Sequence, residues 1–255
     1  MRVAAIQHDV VWEDPLANHE HLLPLISRAA AEGADLIVLS EMYATGFSMA
    51  AQKIAEEVHG QNHSFLREQA EKNNVWIAGS VATRDLEKEL PVNRFLVVSP
   101  SGESNFYDKL YPFTFAGEHE KYSPGDKTVT VDLFGFRTSL FICYDLRFAN
   151  TFWELAPTTD LYLVVANWPA TRSNHWKTLL RARAIENQAY VIGVNRVGEG
   201  DGLSYQGDTV ILDPLGEVIK EASLGAEEIV IADIDIAKVS EVRANFPFIN
   251  DRRNS

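Results

Sequence analysis

The chain reads as an α/β protein, and three observations predict it. Apolar runs of strand length recur along the sequence, such as residues 3–6, 34–39 and 160–166. Longer segments with apolar residues at helical spacing lie between them, among them 18–31 and 176–188. Embedded among these βα units are turn-bounded strand pairs with the pattern of hairpins. Such mixed alternation implies sheets covered by helices. No repeat, low-complexity stretch or linker interrupts the 255 residues, so one domain over 1–255 is expected.

In order, residues 3–6 form a first strand and 18–31 an amphipathic helix. Strand 34–39 (Ala-Asp-Leu-Ile-Val-Leu) then delivers Ser40-Glu41 at its C-terminal end. A helix over 64–72 takes Ser64 as its N-cap, because a serine side chain can accept a first-turn N–H, and strand 75–81 follows. Residues 93–98 and 104–109, joined by Ser99-Pro100-Ser101-Gly102-Glu103, read as an antiparallel hairpin. The loop 111–127 is too polar for core and too aromatic for a plain linker, and loops of that length tend to be functional. A second strand pair, 129–133 and 137–142, turns at Phe134-Gly135-Phe136. A short helix 148–155, strand 160–166 and helix 176–188 come next. Strands 190–195, 208–212, 218–220 and 228–232 precede a final helix over 236–245. Gly198-Glu199-Gly200-Asp201-Gly202 lacks the Lys-Ser/Thr of a phosphate loop and is expected to be a flexible turn.

Composition narrows the function. A hydrophobic fraction of 46% and a charged fraction of 23% are ordinary for a soluble globular chain. The net charge of −13 argues against nucleic acid, which needs clustered Lys and Arg, and against an anionic membrane surface. No apolar run approaches the ~18 residues of a membrane-spanning helix. The opening Met1-Arg2-Val3-Ala4-Ala5-Ile6-Gln7 reads as a strand rather than a signal peptide, so a cytoplasmic location is expected. His59, His63, His119 and His175 lack the spacing of a zinc site, and neither metal nor organic cofactor is expected.

Three residues sit at strand ends. Cys143 is the only cysteine, placed where the apolar run Leu140-Phe141-Ile142 meets the polar turn Tyr144-Asp145-Leu146-Arg147. It is either a small buried hydrophobe or a nucleophile exposed on a tight turn. Glu41 follows a buried strand, where α/β sheets place ligand sites, although a carboxylate there also serves to cap a turn. Lys109 closes the strand Phe106-Tyr107-Asp108 between aromatic flanks, although most lysines are simply exposed. Together the three make a coherent acyl-transfer site. A carboxylate takes the thiol proton, the thiolate attacks a carbonyl or nitrile carbon, and an ammonium with a backbone N–H stabilises the oxyanion. Trp168 is a candidate for the pocket wall or for the core, and Arg172 for a substrate carboxylate or for solvent.

These segments resemble the nitrilase (carbon–nitrogen hydrolase) superfamily. The matching stretches are Leu39-Ser40-Glu41-Met42-Tyr43-Ala44-Thr45-Gly46-Phe47, Tyr107-Asp108-Lys109 and Ile142-Cys143-Tyr144-Asp145-Leu146-Arg147-Phe148. Asn167-Trp168-Pro169-Ala170 and Arg181-Ala182-Arg183-Ala184-Ile185-Glu186-Asn187-Gln188 are similar to the omega-amidase branch. The resemblance implies a four-layer α-β-β-α sandwich of two mixed sheets. It also implies a Glu41, Lys109, Cys143 triad with an oxyanion hole from Lys109 and the Tyr144 N–H. A second glutamate supporting the lysine is implied as well: Glu118 matches by its offset, and Glu120 is the rival. Phe113, His119 and Trp168 join Tyr144 as candidates for substrate contact.

The implied reaction is hydrolysis of a small aliphatic amide such as 2-oxoglutaramate, with the amide and water as partners and a homodimer as the assembly. Nitrile or N-carbamyl hydrolysis, or a non-catalytic interaction role, are the alternatives. The chain departs from the family in two places. It reads Lys109-Leu110-Tyr111-Pro112-Phe113 where the branch has Lys-x-His-Leu-Phe, which implies an altered site wall, and Ser40 stands where a proline is common.

Overall fold

The structure is a computed structural model that describes residues 1–253. In chain order its strands are β1 (Arg2–Gln7), β2 (Leu36–Val38), β3 (Glu56–Glu57), β4 (Trp76–Arg84), β5 (Val92–Val98), β6 (Ser104–Asp108), β7 (Thr130–Leu133), β8 (Phe136–Ile142), β9 (Leu161–Ala166), β10 (Tyr190–Asn195), β11 (Val197–Gly200), β12 (Leu203–Gln206), β13 (Val210–Leu212), β14 (Val218–Glu221) and β15 (Glu228–Asp233). The helices are α1 (Pro15–Ala31), α2 (Ala51–Ile54), α3 (Gln61–Asn73), α4 (Ala149–Leu155), α5 (Ser173–Asn187) and α6 (Ile236–Asn245).

The strands form two mixed sheets of similar design. The first runs β15-β1-β2-β4-β5-β6, with β3 on the edge of β4, and the second runs β14-β13-β10-β9-β8-β7. Each has three parallel strands at its centre, β1-β2-β4 in one and β10-β9-β8 in the other, flanked by antiparallel neighbours. Alternation along each strand sorts the side chains into two layers. Val3, Ala5, Leu36, Val38, Phe95 and Val97 share a core with Leu140, Ile142, Leu163 and Val165 of the other sheet. Their neighbours Ala4, Ile6, Ile37, Leu39, Ile77 and Leu96 face outward onto Leu22 and Ile26 of α1 and Phe65 and Leu66 of α3. The expected sandwich of two mixed sheets under helices is what the chain builds.

Helix starts follow side-chain acceptors rather than the apolar period. The helix expected over 18–31 begins earlier, because Asp14 accepts the Ala17 N–H and Pro15 occupies a first turn that needs no donor there. Ser64 is not an N-cap. Helix α3 starts at Gln61, and the Glu56 carboxylate accepts the Asn62 and His63 N–H groups from outside the helix. The glycine-rich segment expected to be a flexible turn is instead part of the antiparallel ribbon β11-β12. Arg196, fully buried, anchors it by donating to Asp9 and to the carbonyls of Val10 and Glu199. Phe136 belongs to β8 and leaves Phe134-Gly135 at the turn.

Candidate active site

Two strand ends from different sheets meet at one point. Glu41 lies just beyond β2 and Cys143 just beyond β8. Met42 and Cys143 adopt left-handed backbone, with φ of 43° and 46°. Neither is glycine, so both positions hold local strain of the sort that fixed surroundings must maintain. Cys143 opens a short 3-10 segment, Cys143–Arg147. The Tyr144 N–H therefore sits in a first turn, where backbone donors lack an intrahelical acceptor.

Lys109 follows β6 and is the hub of the cluster. Its Nζ donates to Glu41 Oε1 at 3.1 Å and to Glu118 Oε1 and Oε2 at 3.0 and 2.9 Å. Lys109, Glu41 and Glu118 are all buried. Glu118 also accepts the Phe113 N–H, which fixes the otherwise irregular loop against the lysine. Glu41 in turn accepts from Asn93 Nδ2 at 2.8 Å and from the Asn167 N–H at 2.7 Å. The Cys143 Sγ lies 4.0 Å from the carbonyl of Asn167, the residue whose N–H holds Glu41.

Asp145 ties the lysine strand to the cysteine turn. It accepts from Tyr107 Oη at 2.7 Å, the Ile142 N–H at 2.9 Å and the Tyr111 N–H at 3.0 Å. Burial pushes its carboxyl up to about 7, while Lys109 and the three donors pull the other way.

The electrostatics set proton ownership. Burial pushes the Cys143 thiol well above its ordinary value and Glu41 adds to this, with Lys109 opposing. The resting sulfur is thus a thiol that needs a base. Burial alone would lower the Lys109 ammonium, but the carboxylates of Glu118 and Glu41 outweigh it and hold the lysine above its usual range. Glu118 is raised by burial, with Lys109 pulling it back.

Cys143 opens into a cavity of about 200 Å³. Its wall is largely apolar or aromatic, including Phe47, Met49, Phe113, Tyr144, Trp168 and Leu203. Two cations also line it. The Arg147 guanidinium lies 4.7 Å from the Trp168 ring and the Arg172 guanidinium 5.7 Å from the Phe113 ring. Among the described residues neither has a carboxylate within 4.0 Å. Among the described residues, the only side-chain hydrogen-bond partner of Arg147 is His175 Nδ1, at 3.4 Å.

Of the residues singled out in the sequence, Glu41, Lys109, Glu118 and Cys143 come together, and Phe113, Tyr144 and Trp168 line the cavity. His119 does not: its half-exposed ring faces Glu120, 4.0 Å away, and it is absent from the cavity wall. A three-residue 3-10 turn explains this, since it sends Glu118 inward and its neighbours His119 and Glu120 outward. Tyr111, in the segment that departs from the family, does not line the cavity: it stacks on Phe148 at 3.7 Å and bonds Thr151 Oγ1. Asn93 gave no sequence signal, whereas Asp145, Arg147 and Asn167 stood within family-like stretches without a role assigned to them.

Comparison with known proteins identifies the family. The family model described as carbon–nitrogen hydrolase matches residues 2–244. The omega-amidase YafV of Escherichia coli K12 is 41% identical, over 98% of this chain and 96% of the relative. A 2-oxoglutaramate amidase of Bacillus subtilis is 34% identical, over 98% of this chain and 97% of the relative. In structure, a CN-hydrolase superfamily protein of Xanthomonas campestris with an arsenic adduct in its active site superposes with a TM-score of 0.94. It is 37% identical and covers 100% of this chain and 98% of the other. The chain belongs to the carbon–nitrogen hydrolase family.

Proposed function

We propose that this amidohydrolase cleaves the terminal amide of short dicarboxylate monoamides, 2-oxoglutaramate being the model substrate, through a thioester on Cys143. The observation that carries the substrate class is the pair of guanidiniums without carboxylate partners, Arg147 and Arg172, in the apolar cavity that exposes Cys143. An apolar cavity alone suits any small amide or nitrile. Two half-buried arginines on a wall that holds one carboxylate, Asp201, favour a substrate that ends in a carboxylate, because charge-assisted hydrogen bonds are stronger than neutral ones. The names of the relatives support the same class.

In this reading Glu41 takes the thiol proton as Sγ attacks the amide carbon. Lys109 Nζ and the Tyr144 N–H receive the negative charge on oxygen. The C–N bond breaks as the nitrogen takes the proton from Glu41 and leaves as ammonia. Glu41 then draws a proton from water, which attacks the thioester and frees the acid and the thiol. Glu118 keeps Lys109 charged and in place. Ammonia release across a panel tests the substrate class. 2-Oxoglutaramate is expected to exceed a neutral amide of the same length by about 100-fold or more in kcat/KM, the scale of two charged hydrogen bonds. Equal rates, or faster turnover of a nitrile or N-carbamyl compound, would refute it.

The enzyme is further proposed to act in the cytoplasm as a homodimer. Exposed apolar side chains support the pairing: Ile185 on α5 packs beside Gly216, next to exposed Leu215 and Val218. Sedimentation equilibrium decides it, a monomer at micromolar concentration being the contrary result.

A further inference from the structure

The Glu41 carboxylate is held by more fixed donors than a proton acceptor requires. Oε1 accepts from both Lys109 Nζ at 3.1 Å and Asn93 Nδ2 at 2.8 Å. Oε2 accepts the Asn167 N–H at 2.7 Å, with a long 3.5 Å approach from Asn167 Nδ2. A carboxylate offers about four lone-pair directions, two on each oxygen. Oε1 is therefore filled, and Oε2 keeps the freer one.

The arrangement depends on which way the Asn93 amide faces, since its oxygen against Glu41 would repel it. Ser80 fixes the choice. The Ser80 hydroxyl donates to Asn93 Oδ1 at 2.9 Å, while its Oγ accepts the Met42 N–H at 2.8 Å. The single hydroxyl proton is thus committed to Asn93, and the Asn93 NH₂ is committed to Glu41. The same relay holds Met42, the left-handed residue next to Glu41. Asn93 also accepts the Lys109 N–H at 3.0 Å through its backbone carbonyl, so it touches both ends of the Glu41–Lys109 pair. Ser80 and Asn93 are buried, and neither lines the cavity.

We infer that Asn93 and Ser80 are positioning residues that fill Oε1 of Glu41 and so direct the proton of Cys143 to Oε2. The inference rests on the proposed role of Glu41 as base. In the step, the S–H bond breaks and an O–H bond forms on Oε2, while the sulfur pair becomes the S–C bond to the acyl carbon and the carbonyl π pair moves onto oxygen.

Because the chain has one cysteine, its alkylation by iodoacetamide reports Cys143 alone and needs no substrate. The parent, Asn93→Leu and Ser80→Ala are compared across pH for alkylation rate, kcat, KM and melting temperature. Asn93→Leu removes a hydrogen-bond donor that favours the charged form of the carboxylate. Lys109, Glu118 and Cys143, the ionisable groups that face Glu41, are not substituted in either variant. The acid limbs of alkylation and of kcat/KM are expected to move up by about one pH unit. For Asn93→Leu, kcat falls about 100-fold with KM within about threefold, and Ser80→Ala moves the same way by about tenfold.

Folded variants that keep the parent's acid limb, or that lose activity only in step with melting temperature, overturn the inference. If Asn93→Leu does not fold, Ser80→Ala decides. A parent inactive on every amide, but with the alkylation limb shifted in the variants, upholds the positioning and refutes only the substrate reading.

Discussion

Cys143 carries its chemistry through its neighbours more than through its own ionisation. Its thiol is held neutral by burial and by Glu41, so removing the base should cost more than any change to the cavity wall. Glu41→Gln keeps the shape and is expected to lower kcat at least ~100-fold with little change in melting temperature, read by ammonia release. Lys109→Met is a less clean test. It leaves Glu41 and Glu118 buried without their cation, and about 3 kcal/mol or more of stability should go with the activity. Arg172→Gln is expected to raise KM for 2-oxoglutaramate about tenfold and to leave a neutral amide within about twofold, measured by steady-state kinetics. Glu41, Lys109 and Cys143 were visible in the sequence because each ends a strand and stands in a stretch that resembles the family. The roles of Asn93, Asn167 and Asp145 were not, because their partners lie 52, 126 and up to 38 residues away. Glu118 could be separated from Glu120 only by the direction of a 3-10 turn, which residue types do not encode.

At the level of elements, the loop after Lys109 returns to seal the end of β6. The Gly125 N–H donates to the Lys109 carbonyl at 2.8 Å, and a Cβ at Gly125 would stand 2.1 Å from the Asp108 carbonyl oxygen. That oxygen is backbone and cannot swing aside, so Gly125→Ala must displace Asp108 and with it Lys109. We expect a loss of about 1–3 kcal/mol in denaturant unfolding and a fall in kcat larger than the change in KM. A variant with parent kcat would show that the lysine is positioned by other contacts. Strand positions were largely legible because buried β-runs are apolar and sharply bounded. Helix starts were less so: the carboxylate of Glu56 begins α3 from outside the helix, and a local search for Ser or Asp cannot find it. The β11-β12 ribbon escaped because its glycines mask a strand pattern that Arg196 holds from below.

For the molecule as a whole, pH should act through buried histidines as well as through the site. His8 is fully buried at the end of β1, its Nε2 without a hydrogen-bond partner among the described residues. Burial lowers it from 6.5 to about 4, against weaker upward pulls from the Ile6 and Tyr43 backbone. The unfolded chain thus takes up this proton from pH 6.5 downward, while the folded chain resists until about 4. The stability is fully present above 6.5 and is lost as pH falls through about 4, roughly 3 kcal/mol for this one group. Urea unfolding of His8→Leu against the parent between pH 7 and 4 should show a flatter profile for the variant. Parallel profiles would assign the acid sensitivity elsewhere. The two-sheet sandwich itself was expected through family resemblance, since alternation alone gives α/β layering and does not say how many sheets the strands form.

The most direct test of the central claim is a rapid-quench intact-mass measurement during turnover of 2-oxoglutaramate, followed by peptide mapping. The account predicts an acyl adduct on Cys143 that forms and decays with ammonia release and is absent from Cys143→Ala, which should not turn over. Full turnover by Cys143→Ala, or an adduct on any other residue, would contradict it.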